Sequence, residues 1–290
     1  MTIAAIGATG NTGRAVVKEL RALGQNPVCV VRNADKAREV LGGDAKTAVA
    51  ELTDRPALEK ALAGVQSVFV VTGHSPSMVE QQNNILDAAL KVGTEYLVRV
   101  SGDRSVAKAD SESPVGRGHA AIEERLKVSG IKWVVLAPGA PFMQNVLDQA
   151  ASIKTDSRMV LPFAKDLPVA LIDVRDTGAV GARILIDPVP HAGKTYEFTG
   201  KLTTYGAFAE VFSQVLGRPI AYVGITPEQA EQGMKARSMP DWLVAHLVTS
   251  AKLGAAGAFS TENIKLIEDL VGRAPITTKQ FVEDFKAAFS

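Results

Sequence analysis

The sequence predicts an α/β fold, a doubly wound parallel sheet followed by a smaller, mostly helical C-terminal part. Three observations carry that expectation. An apolar run, Ile3-Ala4-Ala5-Ile6, passes through Gly7-Ala8-Thr9-Gly10-Asn11-Thr12-Gly13 straight into the helical pattern Arg14-Ala15-Val16-Val17-Lys18-Glu19-Leu20. Short β-branched runs then alternate with longer amphipathic segments through the first half of the chain. Several of those runs are apolar at every position, as strands are when helices cover both faces of a parallel sheet.

In order, strands are expected at 3–6, 27–31, 47–50 (the weakest), 67–72, 96–101 and 133–137. Helical patterns lie between them near 12–23, 35–41, 56–63, 78–92 and 118–129. After Pro138 the regularity changes. Residues 144–153 read as a helix, 169–173 and 194–198 as strands around a helix at 176–186, and the chain from Thr203 as mostly helical, with a short strand at 220–223. The stretch 252–259, rich in Gly and Ala, reads as a mobile connection. The expected division is a Rossmann-type domain over 1–150, with 168–200 returning to it, and a smaller domain over 201–290, with a cleft between them.

Composition narrows the function classes. The 32 Lys+Arg against 31 Asp+Glu leave a net charge of +1, and no basic block stands out. That argues against nucleic acid as the main partner, because phosphate-backbone binding needs a concentrated positive face. No apolar stretch approaches the ~20 residues of a membrane span. The first strand begins within two residues of Met1, which leaves no room for a signal or transit peptide. The single cysteine, Cys29, sits in an apolar run and reads as core filler rather than a nucleophile. A cytoplasmic protein acting on a small molecule, with a homodimer as one possible assembly, fits this balance. The four histidines are scattered and no local cluster has metal-ligand spacing, so no metal is expected.

The glycine loop points to a dinucleotide. A tight turn at Gly7 takes the chain out of a buried strand, Gly10 lets backbone N–H groups approach a pyrophosphate, and Gly13 lets the helix pack against the strand. Ala8, Thr9, Asn11 and Thr12 complete the loop. About 20 residues past the glycines, where a carboxylate usually takes the ribose 2′-hydroxyl, this chain has Arg32, then Asn33 and Lys36. A guanidinium suits a 2′-phosphate, so NADP(H) is the expected cofactor; the plain alternative is a solvated arginine at a strand end.

Later segments add specificity. The loop, Val30-Val31-Arg32-Asn33, Pro138-Gly139-Ala140-Pro141-Phe142-Met143-Gln144-Asn145, Tyr196-Glu197-Phe198-Thr199-Gly200, Leu216-Gly217-Arg218-Pro219 and Leu270-Val271-Gly272-Arg273-Ala274-Pro275 together resemble the NmrA-like family of atypical short-chain dehydrogenases/reductases, over nearly the whole chain. The resemblance implies a Rossmann fold, NADP, and a cleft that takes a small-molecule substrate. It also implies one of two functions: an NADPH-dependent reductase of quinone-, dye- or enone-like acceptors, or an NADP(H)-binding redox-sensing regulator with little catalysis. Pro138 and Gly139 would then lie beside the cofactor, with Thr72 and Gly73 passing under it.

One departure stands out. Ordinary short-chain dehydrogenases use Tyr-x-x-x-Lys, but here Tyr96, Tyr196, Tyr205 and Tyr222 are followed four residues later by Val100, Gly200, Ala209 and Thr226. His119 falls where the family keeps its lysine, and it shares a helical face with Ile122 and Leu126, so it should face the sheet from the helix's first turn. An imidazole there could bond a ribose hydroxyl or relay a proton, or simply be a satisfied helix-start residue. Ser101 ends the fifth strand, where the superfamily keeps a polar donor. Phe142, Met143 and Trp242 are the expected apolar walls for a planar acceptor, with a core role as the alternative. His74 reads as a loop residue, His191 as a surface turn, and His246 as packing or a pocket wall.

Overall fold

In the computed structural model, which describes residues 1–290, the chain builds a seven-stranded, wholly parallel sheet. Its elements run β1 (Ile3–Ile6), α1 (Asn11–Ala22), β2 (Val28–Val31), α2 (Ala34–Leu41), β3 (Thr47–Val49), α3 (Arg55–Leu62), β4 (Ser67–Val70), α4 (Met78–Val92), β5 (Tyr96–Val100), α5 (Pro114–Lys127) and β6 (Lys132–Pro138). Then come α6 (Ala150–Asp156), β7 (Arg158–Leu161), β8 (Pro168–Ala170), α7 (Val174–Ile186) and β9 (Lys194–Phe198). The remainder is β10 (Leu202–Thr204), α8 (Tyr205–Leu216), β11 (Ala221–Gly224), α9 (Pro227–Ala236), α10 (Asp241–Ala255), α11 (Lys265–Val271) and two short terminal helices. The strand order β3-β2-β1-β4-β5-β6-β9 reverses direction between β1 and β4. That reversal opens a crevice at the strands' C-terminal ends, where the glycine loop lies.

The period-two geometry of a strand explains why β1 is apolar throughout. Ile3 and Ala5 enter one core with Val16, Val17 and Leu20 of α1 and Val180, Ile184 and Leu185 of α7. Ala4 and Ile6 enter another with Leu58 and Leu62 of α3, Ile85 and Leu86 of α4 and Leu126 of α5. Burying one such Leu, Ile or Val is worth roughly 1.5–3 kcal/mol, so a single polar substitution on this strand costs the fold on whichever face it meets. A third core gathers Met143, Ile153, Met159, Phe208, Phe212, Phe281 and Phe289 beneath two small sheets, β8 with β10 and β7 with β11. Ile267 of α11 packs on the large sheet instead, in the core with α1 and α7. Cys29 is fully buried, and burial pushes its thiol up to about 11. No helix is long and apolar enough to cross a membrane.

Several boundaries differ from those expected. The helix carrying His119 starts at Pro114, not 118, because Ser113 caps it by accepting from the Gly116 N–H and Pro114 fits the first turn. His119 is therefore in the second turn, although it does face the sheet. The helix expected at 144–153 is a 3₁₀ segment, Met143–Gln149, followed by α6. The strand expected at 169–173 ends at Ala170, since Asp173 turns to cap α7 through the Arg175 N–H. β7 and β10 were not expected: each is short, and each pairs with a strand distant in sequence. The stretch 252–259 is not a loose connection. α10 runs to Ala255, Gly254 packs against Phe163, Phe259 is buried, and the Phe259 carbonyl accepts from the Ala170 N–H.

Candidate active site

A cleft of about 690 Å³ follows the C-terminal ends of the strands. At its centre the glycine loop forms an anion cradle. Gly7 has φ +79°, and a Cβ there would lie 1.9 Å from the Val71 carbonyl oxygen. A Cβ on Gly13 would lie 2.0 Å from the Gly7 oxygen, so the first turn of α1 sits directly on the turn that follows β1. Gly10, by contrast, has space: the nearest atom to its Cβ position is the Gly7 oxygen at 3.4 Å. Gly10 caps α1 with no side-chain hydrogen bond, and no acidic residue stands in the first turn. The first-turn amides and the positive end of the helix dipole thus point unopposed into the cleft, which fits a pyrophosphate.

At one end of the cleft lies Arg32, exposed and without an ion-pair partner. Glu51, just beyond β3, lines the same end. Sequence reasoning missed this carboxylate, which the pairing of Val31 with Val49 brings alongside. Lys36 does not line the cleft; its backbone N–H is spent on the Asn33 side chain that caps α2.

At the other end stand Ser101, His119, Phe142, Gln144 and Asn145, with Thr72, Gly73 and His74 beside the loop. Of the expected site residues, Gly7, Thr9, Gly10, Asn11, Thr12, Gly13, Arg32, Thr72, Gly73, Ser101, His119 and Phe142 line this one cleft. Six do not. Ala8 is buried in the core beneath the loop. Pro138 ends β6, and Gly139 is pressed against Thr199, where a Cβ would lie 2.7 Å from the Thr199 methyl. Met143 belongs to the third core, and Trp242 packs on Met78, Val115 and Ile122. Met143 is turned into that core by the 3₁₀ segment, while Trp242 of α10 stays half-buried outside the cleft lining.

Behind this far end lies a buried polar network. Ser101 Oγ donates to Glu123 Oε1 at 2.5 Å and accepts from Arg104 Nη2 at 3.0 Å, so its proton is already committed and it is no free donor to the cleft. Arg104 also holds both Glu123 oxygens, and these bonds keep the Glu123 carboxyl below its usual range against the opposing effect of burial. His119, 6% exposed, has Nδ1 at 2.7 Å from Arg99 Nη2. Burial, then Arg99, His74, His246 and Arg104 in turn, hold its pKa well below the ordinary histidine value. The ring is therefore held neutral at physiological pH and presents one N–H and one lone pair.

Sequence reasoning also missed a histidine cluster. The His74 ring packs edge-on against His119 (5.6 Å between centroids) and His246 (4.9 Å), and His246 Nδ1 bonds Ser113 Oγ at 2.9 Å. Nothing local in the sequence signals it, since the three come from a strand-end loop, α5 and α10. Their arrangement does not form a metal-binding group. None of the four tyrosines lines the cleft.

A doubly wound sheet with a phosphate cradle at its switch point, an adjacent cationic side chain and an uncharged far pocket has the form of a dinucleotide-binding α/β protein. Residues 1–274 match the NmrA-like family, and the chain belongs to it. It is 33% identical over 288 residues to an NAD(P)H azoreductase of Xenophilus azovorans, covering 99% of both chains. It is 27% identical to quinone oxidoreductase 2 of Escherichia coli strain K12, covering 95% of each. Among solved structures, an NADPH-dependent quinone oxidoreductase from Escherichia coli in complex with NADPH superposes with a TM-score of 0.84, at 24% identity, over 98% of this chain and 100% of the other. At that identity the superposition speaks for the fold alone.

Proposed function

We propose that this protein is an NAD(P)H-dependent oxidoreductase that uses NADPH to reduce a small conjugated acceptor: a quinone, a dye or an enone. The observation that carries the reading is one continuous cleft. It joins the α1 phosphate cradle and the unpaired Arg32 to a far end with no charged side chain, where His119 and Phe142 stand. The azoreductase and quinone oxidoreductase relatives, matched over almost their whole length, support it.

NADPH, when bound, supplies the hydride. The protein does the rest. The amides of Asn11, Thr12 and Gly13 would hold the pyrophosphate, Arg32 would pair with the 2′-phosphate, and Thr72 and Gly73 would contact the cofactor. Phe142 forms an apolar wall for the acceptor, and the neutral His119 offers a hydrogen bond to an acceptor atom or a ribose hydroxyl. A conjugated acceptor takes hydride without an obligatory tyrosine acid, which suits a cleft lined by no tyrosine. The segments around the large sheet would form the cofactor domain and the aromatic core of 201–290 the smaller one. The buried, protonated Cys29 accords with a reducing cytoplasm.

Steady-state NADPH oxidation with a panel of quinones, uncharged azo dyes and enals tests the proposal. Turnover with any class supports it; tight NADPH binding with no turnover would instead favour a cofactor-responsive regulator. Arg32→Ala should erode the preference for NADPH over NADH by roughly 1–3 kcal/mol in calorimetry. Equal wild-type affinities for the two cofactors would remove Arg32 from the 2′-phosphate. His119→Ala should lower either kcat or NADPH affinity about tenfold, some 1.4 kcal/mol, according to which group the ring holds. Wild-type values for both would return His119 to a purely structural role.

A further inference from the structure

Arg99 is a charged side chain, 1% exposed, in the middle of a parallel strand whose neighbours are Leu97, Val98 and Val100. Nothing about sheet packing asks for it, and an apolar residue of similar volume would hold the sheet at no desolvation cost. Its contacts are directional. Nε donates to Gln82 Oε1 at 2.6 Å, Nη2 lies 2.7 Å from His119 Nδ1, and Nη1 lies 3.5 Å from Glu123 Oε1.

A guanidinium has donors and no acceptor. His119 Nδ1 must therefore present its lone pair to Arg99, and the ring proton must sit on Nε2. The same rule orients Gln82. Its oxygen faces Arg99, so its amide nitrogen faces Thr72 and donates to Oγ1 at 2.8 Å. Thr72 Oγ1 accepts that bond and keeps its own proton free to donate elsewhere. His119 and Thr72 both line the cleft.

We propose that Arg99 is a positioning residue: through His119 on one side and Gln82–Thr72 on the other, it fixes both cleft side chains as proton donors. This rests on the reductase reading. When hydride adds to a conjugated acceptor, the displaced electron pair moves onto the acceptor's oxygen or nitrogen. An N–H or O–H fixed beforehand on a residue that lines the cleft stabilises that charge without reorganising, and a proton from water then completes the two-electron reduction while NADPH becomes NADP⁺. A ring free to present Nε2 as a lone pair would repel the same charge.

The test reads the His119 ring directly, without cofactor or acceptor. In ¹⁵N spectra of ring-labelled protein, wild type should show Nε2 protonated and Nδ1 bare from pH 8 to 5.5. The charged and titratable groups around the ring are Arg99 on β5, Arg104 beyond it, Glu123 on α5, His74 and His246. Arg99→Met removes the nearest cation and the only donor to Nδ1, so the ring should become a tautomer mixture and begin to titrate nearer 6.5. Arg99→Lys, which still carries a donor, should restore the single tautomer. With a reducible acceptor, Arg99→Met should lower kcat about tenfold while KM for NADPH stays within about twofold. That loss should vanish in a His119→Phe, Thr72→Val background. A wild-type ring protonated at Nδ1 overturns the proposal whether or not the variants fold, as does an Arg99→Met ring with unchanged tautomer and pH response. A locked wild-type ring, released in Arg99→Met, in a protein that reduces no acceptor would overturn the reductase reading and leave the Arg99–His119 coupling standing.

Discussion

Gly13→Val should fail to fold stably, whereas Gly10→Val should fold normally and lose NADPH. The contrast follows from the space at each position. A Cβ on Gly13 would overlap the Gly7 backbone, with the oxygen at 2.0 Å and the carbonyl carbon at 2.6 Å, and backbone cannot step aside as a flexible side chain can. Separating α1 from the β1 turn also opens the packing of α1 on α7, so the cost should reach at least ~3 kcal/mol. Gly10 sits at an extended backbone conformation, φ −77° and ψ 171°, that a valine adopts without strain. Its only close neighbour is 3.4 Å away. The branched side chain instead projects where a pyrophosphate must meet the first-turn amides, and affinity should fall about 100-fold or more, some 2.7 kcal/mol. Thermal melts and NADPH fluorescence titrations separate the two effects. Normal NADPH binding by Gly10→Val would mean that the cradle has been misplaced.

The second large effect is acid sensitivity above the carboxylate range. All four histidines are held below the ordinary value of 6.5, His119 well below that ordinary value and His246 down to about 4, with burial the leading cause in each. The unfolded chain therefore takes up protons near pH 6.5 that the folded chain refuses. Stability is complete above that pH and declines as pH falls through it. For a fully buried ring such as His119 the slope approaches about 1.4 kcal/mol per pH unit. His246 adds to it until its own ring protonates near pH 4. Urea midpoints should hold nearly level between pH 8 and 7 and then drop at pH 6 and 5.5, and His246→Phe should flatten the drop. A stability that stays constant over that window would show that these rings are not held neutral by the fold.

Much of the large sheet was legible because its signals are local. The run Ile3–Ile6 and the glycines after it specify strand, turn and helix within a dozen residues, and the strand Lys194–Phe198 could be read from its own short segment. What escaped depends on partners distant in sequence. Arg158–Leu161 is a strand only because Ala221–Gly224 lies beside it, and Trp242 faces Met78 and Val115 only because α10 docks on α5. The site divides the same way. The phosphate loop and Arg32 declare themselves by spacing from one strand end. Arg99, by contrast, reads as an oddity in an apolar run until the fold sets it against Gln82, His119 and Glu123. Glu51, His74 and His246 carry no sequence signal at all, since their meaning lies in what another strand or helix brings beside them.

The state of Cys29 bears on how such a protein survives its own chemistry. Quinones and enones are electrophiles that alkylate thiolates, and a reductase meets them repeatedly at close range. Alkylation needs an accessible, ionised sulfur. Here the only thiol in the chain is sealed within β2 beneath the sheet's helices, its Sγ turned to the Pro27 carbonyl, and burial keeps it protonated far above cellular pH. Incoming acceptor therefore finds hydride as the available nucleophile and no sulfur competing for it. Exposure to excess acceptor should leave the folded chain free of thioether adducts, and unfolding it should expose one reactive site per molecule.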